Sequence, residues 1–380
     1  MPEPRKIVLI LGNGFDLDLG LKTSYKDFWE SEFCPKDYPA PLIHHLNKRW
    51  DKNLEAVRWY DLENELLNYY ITVQSPQDGT IDIITEEERE LLEKFTPYGW
   101  TCGWFNEKID LVQSLVDKGV LLYRERPLPA MGEHYKEDCL KPPAWRDNKA
   151  LGLIKQGLYR YLESIEQAVP RSQTVASHVL GAVSRAMTSG DTVEVYSFNY
   201  TPVALSAEQR KGLSIHYMHG CCEQRRIIIG TRDDITISPD YDFLQKVMDP
   251  YFNPPSLVTT LQDADEVIIF GHSLGENDRQ YFAPFFKRQA DVSQPTRKEI
   301  IFFTRDHKAQ AEIKRALQKM TNGNLSALYS INQPRIIKTA NLDEDQTLFR
   351  DFLLSHGTPI KGVKYIIETL LKKTNAIPQP

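Results

Sequence analysis

Apolar residues along this chain gather in short continuous runs, with helical stripes between them. The first run, KIVLIL at 6–11, is rich in β-branched residues and ends in Gly12-Asn13-Gly14. A run that is apolar at almost every position predicts a strand buried on both faces, and the glycines predict a tight turn out of the sheet. Similar runs return only much later: TVEVYSFN (192–199), LSIHYMHG (213–220), RRIIIGT (225–231), DEVIIFGHS (265–273), EIIFFTRD (299–306) and RIIKTA (335–340). Helical segments stand between several of them: YDFLQKVM, NDRQYFAPFFKRQA and HKAQAEIKRALQKM. Strands alternating with helices of this length predict βαβ units and a parallel sheet, with the first strand central in it.

The stretch from Ser24 to Thr188 has another character. It is charged and aromatic, with helical periodicity in DLENELLNYYI and KALGLIKQGLYRYLESIEQAV, a charged face at Glu86–Lys94, and a Pro-rich loop around RPLPAMGEHYKEDCLKPPAW. The chain therefore reads as α/β: a Rossmann-like, mostly parallel sheet flanked by helices, built from residues 1–23 and 189–380. A large, mainly helical insertion or cap at 24–188 follows the first strand. The length, 380 residues, agrees, since it exceeds what one hydrophobic core usually fills.

Composition narrows the class. Hydrophobic residues at 41% and charged residues at 26% are globular values and exclude a disordered or fibrous chain. A net charge of −6 argues against general nucleic-acid binding, which needs a basic surface. The cysteines Cys34, Cys102, Cys139, Cys221 and Cys222 are irregularly spaced and form no C-x-x-C. They read as reduced thiols rather than a disulfide framework or a zinc site, and no metal is expected. No secretory pattern precedes the first strand, and no apolar run approaches the length of a membrane span. A cytoplasmic protein without membrane contact is the expectation.

Candidate chemistry collects at strand ends. Gly12-Asn13-Gly14-Phe15-Asp16 lets the backbone turn and approach a ligand, but Leu17 stands where a dinucleotide fingerprint needs its third glycine. A structural turn explains it equally well. Asn199, in SFNYT, offers both a donor and an acceptor, or makes an Asx-type turn. His219 precedes Gly220 at the end of the next strand, while His216 faces the other side, so a shared metal is not expected. Ligands of open α/β sheets bind at that carboxyl edge. Gly271-His272-Ser273-Leu274-Gly275-Glu276-Asn277-Asp278 lies between a strand and a helix that Asn277 or Asp278 could cap. Its GHSLG also fits the nucleophile elbow G-x-S-x-G, with Ser273 as nucleophile and Asp306 with His307 or His356 as partners. Against that elbow, Glu276 follows the second glycine where a small residue is needed.

In order, GNGFDLDLGLKTSYKDF, Trp59-Tyr60-Asp61-Leu62-Glu63, SFNYT, HG and FGHSLGENDRQYF resemble the bacterial AbiH family of abortive-infection phage-defence proteins, from residue 8 to about 286. The same order is similar, remotely, to the sirtuin nucleotide fold. Gly12–Gly14 stands for its glycine loop and Asp27-Phe28 for part of the stretch that follows. Asn199 stands for its Asn, His219-Gly220 for its His-Gly, and Gly271-His272-Ser273 loosely for its later cofactor loop. The sirtuin zinc cysteines are missing. Trp29 replaces the Arg after Asp-Phe, and Thr201 replaces an Asp. These departures speak against deacylation and leave the bare cleavage of NAD.

The resemblance implies Asn199 and His219 as catalytic residues. It implies Gly12, Asn13, Gly14, Asp16, Gly271, Ser273 and Asp278 around NAD, which would be a substrate rather than a resident cofactor. Cleavage of the nicotinamide–ribose bond passes through an oxocarbenium-like state with a neutral leaving group, so the protein must orient the ribose, steady the cation and place a water. Asn199 would hold ribose hydroxyls or the water, and His219 would take a proton near neutral pH. Asp16 would bond a ribose hydroxyl or steady its turn. Asp61 and Glu63 would reach into the site or simply start a helix. Two other readings stand beside this one: the Ser273 hydrolase, and a defence protein that senses a nucleotide without cleaving it. The expected partners are a nucleotide, a phage-derived trigger of a closed resting state, and a second copy of the chain in a homo-oligomer.

Overall fold

A computed structural model of the chain describes residues 4–51, 61–71, 87, 143–166, 173–203 and 213–376. Met1–Ser24, Leu162–Ile227 and Asn253–Pro380 form one compact unit, and Tyr25–Tyr161 with Ile228–Phe252 form another.

The first unit is built on six strands: β1 (Lys6–Leu11), β2 (Thr192–Ser197), β3 (Ser214–Tyr217), β4 (Glu266–Phe270), β5 (Glu299–Thr304) and β6 (Arg335–Lys338). They pair in the order β3-β2-β1-β4-β5-β6, and every pairing is parallel. The first strand is central, as its unbroken apolar run predicts. Successive side chains of β1 point to opposite faces, so Ile7, Leu9 and Leu11 enter one core and Val8 and Ile10 the other.

Twelve α-helices are described. After β1 come α1 (Asn13–Asp18), α2 (Tyr25–Glu30), α3 (Pro41–Asp51), α4 (Leu62–Tyr69), α5 (Pro143–Glu166) and α6 (Val175–Thr188). After β3 come α7 (Leu257–Asp263), α8 (Arg279–Gln289), α9 (His307–Met320), α10 (Leu325–Asn332), α11 (Leu342–Ser355) and α12 (Ile360–Ala376). One face of the sheet is covered by α6, α11 and α12, and the other by α7, α8, α9 and α10. Both faces are therefore sealed, which is why the strands carry so few polar residues.

The order in which strands are added reverses at β1. The chain goes from β1 outward to β2 and β3, then returns to β4 on the other side. The crevice beyond the carboxyl ends of β1 and β4 is thus a topological switch point, where open α/β sheets place ligands.

Three features differ from the sequence pattern. Arg225–Thr231 is not a strand of the sheet. Ile228 and Ile229 are buried in the other unit, and only Thr231 pairs, bridging Gln245. Apolar periodicity reports burial, and burial does not require a ladder partner. The segment YDFLQKVM forms two 3-10 turns, Pro239–Leu244 and Lys246–Met248, because Gln245 between them is extended. Helix α6, grouped by pattern with the insertion, packs its Val175, Val179 and Val183 against the sheet.

In the second unit, Asp147 of α5 is fully buried. It accepts from the Leu42 amide at 2.9 Å and from the Tyr69 and Tyr241 hydroxyls at 2.6 and 3.3 Å. Burial raises its carboxyl to about 6 against those hydrogen bonds. Trp59, Cys102, Cys139, Glu86–Lys94 apart from Glu87, and most of the Pro-rich stretch lie outside the described residues; the last residues of that stretch, Pro143–Trp145, open α5. No described helix is long and apolar enough to cross a membrane.

Phe303 on β5 stacks on Phe270 with ring centres 5.2 Å apart and meets Phe352 edge-on at 5.1 Å. Phe303→Ala should lower unfolding free energy by about 3–5 kcal/mol, as removal of a buried aromatic ring does. Urea denaturation checks this, and a loss below about 1 kcal/mol would mean the sheet core is not packed as described.

Candidate functional site at the carboxyl edge of the sheet

The loops after β1 and β4 meet at the switch point. The Gly12 amide donates to the Phe270 carbonyl and the Gly14 amide to the Gly271 carbonyl, each at 2.9 Å. The approach leaves no room for side chains. A Cβ on Gly12 would lie 2.5 Å from the His272 Cα, and one on Gly14 would lie 2.7 Å from the Gly271 Cα. Gly271 also has φ of +66°, which disfavours any residue with a Cβ. These glycines let two loops touch, and the Gly12 and Gly14 amides are engaged in that contact.

Asn199 joins the end of β2 to this seam. Its side-chain amide donates to the Gly12 carbonyl at 3.1 Å. Beside it, the Thr201 hydroxyl donates a short hydrogen bond to Asp16 on α1. Complete burial pushes the Asp16 carboxyl up to about 7, against hydrogen bonds from Thr201 and Asn199 that pull it down. Asn13 has a different partner: its side-chain oxygen accepts from the Thr23 hydroxyl at 2.5 Å.

His219 follows β3, whose loop is tied to β2 by the Met218 amide donating to the Ser197 carbonyl. Its Nε2 lies 3.3 Å from Asp278 Oδ1, and His272 Nε2 lies 3.3 Å from Asp278 Oδ2. One carboxylate thus bridges two buried imidazoles. Phe198 packs edge-on against both rings, with centres 5.4 and 4.3 Å away. Asp278 occupies the position before α8 where a capping side chain is expected, but it makes no capping hydrogen bond. No group of three or more metal-ligating side chains able to hold a metal ion is found among the described residues.

Of the residues singled out by sequence, Gly12, Gly14, Asp16, Asn199, His219, Gly271 and Asp278 come together at this edge. Ser273 is exposed there and has no histidine partner among the described residues. Its proposed triad partners are occupied elsewhere. Asp306 caps α9 by accepting from the Ala309 amide at 3.0 Å, and His307 pairs with Glu344 at 2.9 Å. His356 lies 3.2 Å from Glu266, which starts β4 at the opposite edge. Asp61 and Glu63 belong to the second unit: Asp61 caps α4 through the Asn64 amide, and Glu63 pairs with Lys246 at 2.9 Å.

Two site residues were missed as such. Thr201 stood in SFNYT as a mere departure, although a hydroxyl two residues after Asn199 was the available signal. His272 was overshadowed by Ser273 in GHSLG.

The family described as bacteriophage abortive infection AbiH matches residues 8–296, well over half of the chain and every residue of this site. The chain belongs to the AbiH family. Comparison with curated proteins and with solved structures found no match. In this AbiH chain the matched segment ends after α8, so β5, β6 and the helices after them lie beyond it.

Asp16 makes the site's burial measurable. An unfolded Asp ionises near its ordinary value of 3.8, whereas the folded one keeps its proton to about 7. Between those pH values the unfolded state gains by ionising, so this contribution to stability is full below 3.8 and is lost as pH rises to about 7. Asp16→Asn should flatten the fall in stability across that window, read from urea midpoints. Equal slopes in the two proteins would contradict the buried carboxyl.

Proposed function

We propose that this AbiH chain is an abortive-infection effector that binds NAD and hydrolyses its nicotinamide N-glycosidic bond. The observation that carries this reading is the buried His219, 3.3 Å from Asp278, at the same carboxyl edge of the sheet as Asn199. In the proposed reaction, water attacks the ribose C1′ as the C1′–N bond breaks. The bonding electrons leave with the ring nitrogen, so nicotinamide departs neutral, and His219 takes the proton of the water. Asn199 orients the ribose or the water. Since the Gly12 and Gly14 amides are spent on the β4 loop, those glycines shape the site, and the diphosphate takes its contacts from other groups. The proposed resting state is closed, and a phage-derived trigger opens it.

The alternative that uses Ser273 as nucleophile has no support from the positions of Asp306, His307 and His356. Loss of NAD should be followed in infected bacteria that the chain protects. With the wild type, NAD should fall and nicotinamide and ADP-ribose appear. His219→Ala should slow this by about a hundredfold or more, the usual worth of a general base, and Ser273→Ala should leave it intact. Protection with constant NAD would overturn the proposal.

A further inference from the structure

We infer that His272 is a positioning residue: it donates from Nε2 to Asp278 and thereby fixes which nitrogen of His219 carries the proton. This rests on the reading of His219 as the base in NAD cleavage.

The inference starts from the backbone. The Leu274 amide donates to His272 Nδ1 at 3.0 Å. A ring nitrogen that accepts carries no proton, so the His272 proton is on Nε2. That nitrogen lies 3.3 Å from Asp278 Oδ2, so the proton of neutral His272 is the one it can offer the carboxylate.

The loop is shaped to keep this arrangement. Leu274 is buried and has φ of +55°, a left-handed conformation that residues with a Cβ rarely adopt. Gly12 carries no side chain because the His272 backbone occupies that space. Among the described residues, the Phe198 and Phe282 rings also pack on His272, with centres 4.3 and 5.0 Å away. Neither titrates, and Asp278 is the carboxylate beside it.

Asp278 then has one oxygen fixed by His272 and presents the other to His219 Nε2 at 3.3 Å. A carboxylate oxygen accepts, so neutral His219 carries its proton on Nε2, and Nδ1 is its basic nitrogen. Among the described residues, the Tyr281 ring also stands beside His219, 6.4 Å away between centres. His272 does this without touching the reacting atoms, in the way that partners behind a working histidine set its tautomer.

The test is the imidazole ¹⁵N spectrum of histidine-labelled full-length protein without substrate, read at about pH 8, above the range where free histidine titrates. In the wild type, His272 should show a bare Nδ1 and a protonated Nε2, and His219 should show the Nε2–H form. His272→Leu keeps bulk but no donor, and should return His219 to a mixture of tautomers. His272→Gln restores a donor near the Nε2 position and should restore the single form. A proton on Nδ1 of His272 in the wild type overturns the proposal and requires no variant. So does a His219 tautomer unchanged in His272→Leu, or, if that variant does not fold, unchanged in Asp278→Asn. These spectra involve no NAD. If the tautomers hold and NAD is never cleaved, the cleavage reading fails and the positioning stands; if NAD is cleaved and the tautomers do not hold, the reverse is true.

Discussion

The edge of this sheet is organised by one contact, the approach of the β1 and β4 loops to within backbone distance. Two amide–carbonyl hydrogen bonds close the seam, and Gly12, Gly14 and Gly271 make it sterically possible. Once the loops touch, the rest follows in sequence. The Gly12 carbonyl is placed where Asn199 reaches it, and α1 starts where Asp16 meets Thr201. His272 is set against Gly12, with its ring turned toward Asp278. An ion removed from water needs donors around it, and Asp278 finds an imidazole for each oxygen.

Two carboxyls in different surroundings therefore belong to this unit. Among the described residues Asp16 has hydroxyl and amide partners, Thr201 and Asn199, and it holds its proton to about 7. Asp278 has two ring nitrogens and remains partly open to solvent. This difference in environment separates a carboxyl that stores a proton from one that orients a base. Asp278 lies against two histidines and makes no capping hydrogen bond to α8.

Much of this was legible in the sequence, for physical reasons. Strands β1, β4 and β5 are buried on both faces and so read as unbroken apolar runs, and the helices between the later strands fix the parallel direction. Strand-end positions made Asn199 and His219 candidates without knowledge of any contact. Arg225–Thr231 misled because an extended apolar segment and a paired strand share one pattern. YDFLQKVM misled because a single extended residue, Gln245, splits what looks like one helix. Asp278 was legible as a helix start but not as a bridge, since its partners lie on loops distant in sequence. His272 was hidden by the serine next to it, and its role runs through a backbone amide, which leaves no mark in residue identity.

The central claim is that the loops after β1, β2, β3 and β4 form a single ligand site. Titration of NAD into histidine-labelled protein, followed by imidazole ¹⁵N shifts, tests it most directly. His219 and His272 should move together and saturate together, while His356, beside Glu266 at the opposite edge, stays fixed. Movement of His356 with His219 and His272 unmoved would contradict the account.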